Sequence, residues 1–394
     1  MPVTSHPTTT ERDLRLDFFR GLALFCIFLD HLPNNIMAEF TLQSVMFADA
    51  AEVFILISGY TAGMVYGRAM ERQGFLVAGV RVYHRVWQLY VAHVFLFTIY
   101  LATVIYTEGA LNKSLYAEEF GATNFLQEPG LALVQALMLQ FQPAFMDILP
   151  LYIVLLAVLP LVLAGFRSWP GAVFLTSFVL WLAVQFDNRV ALSAYPGPDR
   201  VWFLNPLAWQ GLFLLGVWFG WRNVHGGTSW LSSRWLFWLA AVLSLAGFLI
   251  RFNWTLHRFY DPLPVLVSGK PLWAFLSKTN LGVLRLTNML AVALFSASLI
   301  RPQAKFLVSP GAWPFLVCGR NSLYIFCLGI LLSVLGHLVL NEFFGGLAMQ
   351  FAVSAAGVII MIAVAALLGW FVAAQSTTGG GAVGAPTASR GARG

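Results

Sequence analysis

The chain has 394 residues, of which 59% are hydrophobic and only 10% are charged. This composition excludes an ordinary soluble globular protein. Apolar stretches of about 20 residues recur along the chain, which indicates a helical protein that crosses a lipid bilayer several times. We therefore expect the lipid bilayer to contact most of the protein surface. We expect no nucleic acid as a partner. The net charge of +6 is modest, so the distribution of the charges is more informative than their sum.

Hydropathy predicts an all-α polytopic integral membrane protein with about ten transmembrane helices. In chain order the predicted helices span 18–37, 47–67, 86–106, 148–165, 170–186, 207–221, 235–251, 285–300, 315–340 and 347–374. The segment 130–142 is too short to cross a bilayer and is predicted to be interfacial or re-entrant. Residues 1–374 are predicted to form one domain, and the Gly/Ala-rich tail 375–394 is predicted to be disordered.

Arginine and lysine residues predict the orientation of the bundle. They are concentrated at the N-terminus and between the second and third predicted helices, whereas the loop 107–129 is acidic. The positive-inside rule then predicts that both termini are cytoplasmic. The loop 252–284 is an exception, since it lies on the predicted outer side yet contains Arg258, Lys270 and Lys278. This excess of positive charge suggests a functional requirement.

The first predicted helix carries ionisable residues on one stripe. Arg20 and His31 are eleven residues apart, which is close to three helical turns and about 16 Å along the axis. Asp17 and Arg20 are neighbours at i, i+3, whereas Asp30 points about 100° away from His31. Ionisable groups inside a membrane are costly and commonly mark a pathway or a site, although a histidine can also serve only as a hydrogen-bonding core residue.

The second predicted helix begins with two carboxylates, Asp49 and Glu52, spaced i, i+3. Both lie near the same predicted membrane surface as His31. A carboxylate beside a histidine fixes its tautomer and raises its basicity. One of the two carboxylates is therefore a candidate partner of His31.

Four motifs in this order resemble those of the membrane-bound acyltransferase superfamily. They are LDFFRGLALFCIFLDH, VFILISGYTAGMVYG, RVYHRVWQLYVAH and CGRNSLYIFCLGILL. Further segments, LDHLPNN, MDILPLYI, LNPLAWQ and SKTNLGVLR, resemble the OpgC family of succinyltransferases, which modify osmoregulated periplasmic glucans. The resemblance covers the chain from about Leu14 to Trp370. It implies a ten-helix core, an acyl-CoA donor and a glycan hydroxyl acceptor.

The resemblance implies that the donor is bound on the cytoplasmic side and the acyl group is transferred near the other surface. The phosphate-binding candidates are Arg20, Arg68, Arg81 and Arg85. Arginine suits phosphate because it is always charged and forked, although positive-inside topology alone also accounts for an arginine-rich loop. His31 would be the general base for a sugar hydroxyl, with Asp30 and Glu52 as further catalytic candidates. Direct transfer is expected, and a succinyl-histidine intermediate is the chemical alternative.

The acceptor is expected at the outer surface, where aromatic rings can pack on sugars and polar groups can bond hydroxyls. The substrate-binding candidates are Asn34, Asn35, Asp147, Trp254, His257, Asp261, Lys270, Trp273 and Lys278. The cations in this group could also bind the terminal carboxylate of a succinyl donor. The aromatics fit a lipid-interface belt equally well, and the asparagines fit a polar helix end.

No metal and no tightly bound cofactor is expected, and succinyl-CoA is the expected donor. Cys26, Cys318 and Cys327 lie in apolar segments and are expected to be small core residues. The alternative functions are acetyl or other acyl transfer to a different surface polysaccharide, and glycan transport. A transporter predicts inverted repeats, and none is evident in the sequence. The oligomeric state cannot be derived from the sequence.

Overall fold

The computed structural model describes residues 12–111, 115–187, 189–197, 200–225, 227, 233–343 and 345–379. Over these residues the chain is mainly helical, and β pairing is limited to one isolated bridge between Ser193 and Val201. The all-α prediction is thus confirmed. The helices are α1 Leu14–Asp30, α2 Ala50–Leu111, α3 Leu115–Glu119, α4 Thr123–Gln127, α5 Pro129–Leu137, α6 Ile148–Ser168, α7 Pro170–Phe186, α8 Pro206–Val224, α9 Arg234–Phe259, α10 Val283–Leu299, α11 Trp313–Arg320, α12 Ser322–Glu342 and α13 Leu347–Gly379.

Several helices are long and apolar enough to cross a membrane, so the chain is a membrane protein. Within the described residues there are five such helices: α2, α6, α9, α12 and α13. Helices α7 and α10 are apolar but have only 17 residues each. The count of about ten spans and the cytoplasmic position of both termini stay predictions.

Helix α1 ends earlier than predicted. The predicted helix 18–37 is wrong at its C-terminal end, because α1 stops at Asp30 and His31 caps it. Pro33 has no amide hydrogen and disfavours helical backbone in the residue before it. Asn34 then adopts a φ of 47°, which reverses the chain. His31 therefore lies where the helix opens, and its side chain is partly exposed.

Helix α2 replaces a predicted loop. The predicted break between residues 67 and 86 is wrong, since helix continues from Ala50 to Leu111 with a single non-helical residue, Gly74. At a φ of 81° and ψ of 174°, Gly74 occupies backbone space that only glycine enters readily. It divides α2 into two arms, 50–73 and 75–111. Arg68, Arg81 and Arg85 are consequently helical residues.

The later helices also differ from their predicted bounds. Helix α9 continues past residue 251 to Phe259, so Trp254 and His257 belong to its last turns. The predicted helix 315–340 is divided at Asn321 into α11 and α12. Helix α13 continues to Gly379, and residues 380–394 of the predicted tail lie outside the described residues.

Small residues allow the central helices to pack closely. A Cβ atom on Gly63 of α2 would lie 2.1 Å from the carbonyl oxygen of Val217 in α8. Likewise, a Cβ on Gly21 of α1 would lie 2.0 Å from the carbonyl oxygen of Phe315 in α11. In lipid, helices associate mainly through such close packing because water exclusion between them contributes little. These contacts hold α1 and α2 against the helices that complete the core.

We predict that Gly63→Ala lowers the thermal stability of the detergent-solubilised protein. The new methyl group overlaps backbone atoms of α8, which corresponds to an overpacking cost of about 1–3 kcal/mol. The matched control is Gly369→Ala on α13, where a Cβ meets no atom within 4 Å. Alanine is the better helix former, so the control should keep or raise the melting temperature. Equal melting temperatures for the two variants would contradict the close-packing argument.

Candidate functional site

A cavity of about 150 Å³ lies beside Arg20 and is called the arginine cavity below. It is enclosed by α1, both arms of α2, α6 and α12, and Arg20 and Arg85 both line it. Arg20 donates a 2.9 Å hydrogen bond to the hydroxyl of Thr61. Tyr66 and Tyr152 add polar edges to a lining that is otherwise mostly apolar. The cavity thus combines two permanent cations with space for an apolar chain.

Two of the four predicted phosphate-binding arginines converge on this cavity. Arg68 and Arg81 are not among its lining residues. Arg68 is partly buried and Arg81 is exposed, on opposite sides of the bend in α2. The geometry therefore separates Arg20 and Arg85 at the cavity from Arg68 and Arg81 outside it.

The expected pairing of Asp17 with Arg20 is replaced by other contacts. Asp17 is buried, and Arg12 reaches its two carboxylate oxygens at 2.6 and 2.8 Å. Arg320 at the end of α11 approaches the same carboxylate at 3.7 Å. Asp17 therefore ties α1 to the chain before it and to α11. Arg20 remains directed at Thr61 and the arginine cavity.

His31 lies at the opposite end of α1. Because α1 is helical from Leu14 to Asp30, Arg20 and His31 are separated by about 16 Å along its axis. The imidazole packs on the ring of Phe145, with a centroid distance of 4.3 Å. Phe145 has a φ of 70°, a strained value for a non-glycine residue, which marks this contact as a defined feature. Among the described residues, Nδ1 of His31 is buried and has no hydrogen-bond partner.

The carboxylates predicted to assist His31 are engaged elsewhere. Asp30 accepts hydrogen bonds from the Thr41 hydroxyl at 2.6 Å and from the Gln43 amide at 3.0 Å. Glu52 accepts from the backbone N–H of Asp49 and from the guanidinium of Arg285. In the described structure neither carboxylate orients His31 through a hydrogen bond.

Asp49 and Glu52 instead cap the first turn of α2. Asp49 accepts from the N–H of Ala51 at 2.8 Å, and Glu52 accepts from the N–H of Asp49 at 2.9 Å. This reciprocal arrangement is a capping box, and the negative charges also suit the positive end of the helix dipole. The i, i+3 spacing of Asp49 and Glu52, from which a carboxylate partner of His31 was predicted, is therefore explained by helix capping.

Two cations complete a buried network of four charges. The guanidinium of Arg285 lies 2.6 Å from Glu52 and 3.1 Å from Asp49, and Nζ of Lys278 lies 2.7 Å from Asp49. We call Asp49, Glu52, Lys278 and Arg285 the four-charge cluster. Its formal charges cancel, as expected where burial makes an unpaired charge expensive. It joins the start of α2 to α10 and to the segment before α10.

The segment that carries Lys278 is held by α7 and α8. The indole of Trp209 donates to the carbonyl oxygen of Lys278 at 3.0 Å. The backbone N–H of Asn205 donates to the carbonyl oxygen of Thr279 at 3.1 Å, and Gln185 donates to that of Asn280 at 2.7 Å. Three consecutive carbonyls are therefore fixed. The Lys278 backbone has a defined position relative to the bundle.

Asp147 lies close to this part of the protein, two residues after Phe145 and immediately before α6. It is partly buried. Burial raises the pKa of Asp147 to about 6, while the nearby charge of Lys278 opposes that rise. The charges of Lys278 and Asp49 also act on His31. His31, Asp147 and the four-charge cluster thus share one electrostatic environment.

A cleft of about 450 Å³ opens beside the end of α1 and is called the polar cleft below. Its polar lining consists of Asp30, Asn34, Asn35, Glu39, Arg258 and Gln350. Arg258 of α9 pairs with Glu39 at 2.7 Å across it. Asn34 is exposed, whereas the amide of Asn35 is buried and accepts from the N–H of Met37. Asn34 is therefore the more accessible of the two predicted asparagines.

The aromatic and charged segment after residue 253 does not converge on one surface. The Trp254 indole bonds the carbonyl oxygen of Val267, and His257 lies 3.5 Å from the exposed carboxylate of Asp261. Lys270 is exposed, and Trp273 has 68% of its surface exposed. Neither of the last two lines the polar cleft. The side chains of this segment are divided between local contacts and solvent, and their role in binding the acceptor stays a prediction.

Two important residues were missed by the sequence analysis. Arg285 is the centre of the four-charge cluster, and its position at the start of an apolar predicted helix was an available signal. Phe145 had no comparable signal, because phenylalanine is abundant in this chain and the contact depends on backbone reversal. The pairing of Arg258 with Glu39 also required two distant segments to meet.

These features define an α-helical membrane protein with a cation-lined cavity and a polar cleft at opposite ends of one helix. The family model described as OpgC protein matches residues 12–373, so the chain belongs to this family. The resemblance found in the sequence is thereby confirmed. Membership implies a transferase function of the glucan-succinyltransferase type. No curated protein and no solved structure matches the chain.

Proposed function

We propose that this protein transfers a succinyl group from cytoplasmic succinyl-CoA to hydroxyl groups of osmoregulated periplasmic glucans, in the inner membrane of a bacterium. One observation carries the proposal. Arg20 and His31 occupy opposite ends of the same helix, with the arginine cavity at one end and the polar cleft at the other. This is the arrangement that a donor and an acceptor on different sides of a membrane require. Family membership supports the chemistry.

The donor is proposed to enter at the arginine cavity. Arg20 and Arg85 supply charge for phosphate oxygens, and the apolar lining suits the pantetheine arm. A volume of about 150 Å³ is too small for a whole coenzyme A molecule, so the nucleotide would stay outside. Arg68 and Arg81 are then available to its phosphates on the cytoplasmic side. Both termini are proposed to lie on that side, with about ten helices crossing the bilayer.

His31 is proposed to act as general base. It takes the proton of a glucan hydroxyl while the oxygen attacks the thioester carbonyl, forming the ester C–O bond. The C–S bond then breaks and the proton passes from His31 to the departing thiolate. Direct transfer needs no acyl-enzyme, because both substrates approach one point. His31 does not line the polar cleft, but its side chain is partly exposed and its chain neighbours Asp30 and Leu32 line that cleft, which supports access by the acceptor.

The acceptor is proposed to bind in the polar cleft, where Asp30, Asn34 and Arg258 offer donors and acceptors to sugar hydroxyls. Asp147 faces the same electrostatic environment as His31 and completes the proposed acceptor side. Lys270 and Trp273 are exposed and lie outside this cleft. The proposed acceptor site thus contains fewer residues than the substrate-binding candidates predicted from the sequence.

We expect Arg20→Ala to weaken succinyl-CoA binding by about 10- to 100-fold, the value of a charge-assisted hydrogen bond to phosphate. Binding of succinyl-CoA and of glucan is measured separately on detergent-solubilised protein. The exposed Arg301 provides the matched control as Arg301→Ala. An equal loss of both ligands would mean that Arg20 acts on folding, through its contact with Thr61.

We expect His31→Ala to reduce succinyl transfer by about 100- to 10,000-fold, the usual contribution of a general base. Glucans from cells that express each variant are analysed by mass spectrometry for the gain of succinyl units. The control is His225→Ala, which removes a histidine that pairs with Glu71 at the other end of the molecule. Near-normal modification by a folded His31→Ala protein would rule out the assigned base. If glucans from cells with the wild-type protein gain acetyl units instead of succinyl units, the proposed donor is wrong.

The sidedness of the reaction is tested in sealed vesicles of known orientation. Succinyl-CoA is supplied on one side and glucan on the other. Transfer is expected only when succinyl-CoA is on the side of the segment Arg68–Arg85, because neither substrate crosses the membrane unaided. If transfer requires both substrates on the same side, the proposed path along α1 is wrong.

A further inference from the structure

Lys278 and Arg285 play unequal parts in the four-charge cluster. Arg285 contacts both carboxylates, and its side chain is 12% exposed. Of the two carboxylates, Lys278 pairs with Asp49. Its ammonium also lies 6.0 Å from the centroid of the Phe203 ring, and its side chain is 35% exposed. Arg285 is therefore the fixed bridge of the cluster, and Lys278 is its more accessible member.

Lys278 can leave Asp49 without leaving that carboxylate unpaired. Asp49 keeps the guanidinium of Arg285 at 3.1 Å and the N–H of Ala51 at 2.8 Å. Breaking a buried ion pair is costly because it leaves an uncompensated charge, and Asp49 would still have Arg285 as a cationic partner, shared with Glu52. The second cation thus lowers the cost of moving the Lys278 ammonium to another anion.

The position of Lys278 suits an anion that enters beside His31. Its backbone is fixed by Trp209, so the reach of its side chain starts from a defined point. Its charge acts on both His31 and Asp147. The thioester carbonyl must come to His31 under the proposed function, so the far end of the acyl chain comes into the same region.

We infer that Lys278 selects the acyl group of the donor, by exchanging part of its contact with Asp49 for the terminal carboxylate of a dicarboxylic acyl chain. This inference rests on the proposed function and adds the residue that makes the enzyme prefer an acidic acyl group. An ammonium and a carboxylate form a strong charge-assisted hydrogen bond in a site with little water. A donor whose chain ends in a methyl group offers nothing to Lys278 and leaves it on Asp49.

The test compares two donors of equal chain length, succinyl-CoA and butyryl-CoA, with glucan as the acceptor and the full-length protein in lipid nanodiscs. Lys278→Met removes the charge and keeps most of the length of the side chain. It should lower kcat/KM for succinyl-CoA by about 30-fold or more, the effect of removing one partner of a buried charge pair. Loss of the Lys278 charge also changes the electrostatic environment of His31 for both donors, so the readout is the ratio of kcat/KM for succinyl-CoA to that for butyryl-CoA, which should fall. Lys305→Met, at an exposed lysine, is the control and should leave both values unchanged.

Lys278→Arg provides a second variant that keeps the charge. The Lys278→Arg protein should still prefer succinyl-CoA over butyryl-CoA. Its KM for succinyl-CoA should change, and its KM for butyryl-CoA should not. Binding of the two donors without glucan gives a readout that is independent of turnover, and only succinyl-CoA binding should weaken in Lys278→Met.

Two results would overturn the inference and are distinguishable from failure of the proposed function. If Lys278→Met lowers kcat/KM for succinyl-CoA and for butyryl-CoA by the same factor, the ratio of the two values is unchanged. Lys278 then does not select the acyl group, although transfer itself is intact. If the wild-type protein transfers neither acyl group, the proposed function is wrong and the inference falls with it.

Discussion

The compensation of buried charge is the constraint on which this structure depends. An unpaired carboxylate inside an apolar helix bundle is expensive, and Asp49 and Glu52 lie at such a position at the start of α2. They are accommodated because they cap the helix and because Arg285 and Lys278 reach them from a distant part of the chain. The start of α2, the segment before α10 and α10 itself are consequently joined at one point.

Close helix packing determines where the remaining charged groups lie. Glycines let α2 approach α8, and α1 approach α11, to backbone contact. With α1 fixed in this way, its ends carry Arg20 to a cavity and Asp30, the neighbour of His31, to a cleft. The distance between Arg20 and His31, on which the proposed function depends, is thus set by a helix, and helices position groups more accurately than loops do.

The proposed chemistry and the charge network are linked through Lys278. The same lysine helps to stabilise the capped end of α2 and acts electrostatically on His31 and Asp147. Lys278 thus accounts for one cation of the segment that lies on the predicted outer side, against the positive-inside trend. Lys278 is partly buried within a network of charges, whereas Lys270, the other lysine of that segment, is exposed.

The sequence by itself determined the helical membrane class, most helix positions, the family and the spacing of Arg20 and His31. These follow from local properties: apolar length, helical period and motif order, which a chain carries wherever it is placed. It could not determine which charges meet. The i, i+3 spacing of Asp49 and Glu52 fits a helix-capping box, and it also fits a carboxylate that orients a histidine. Only the contact of Glu52 with Arg285, 233 residues away, distinguishes these two roles. The stacking of Phe145 on His31 and the dispersal of Lys270 and Trp273 were decided in the same way. Contacts between distant segments depend on how the helices pack, and that is a property of the tertiary structure alone.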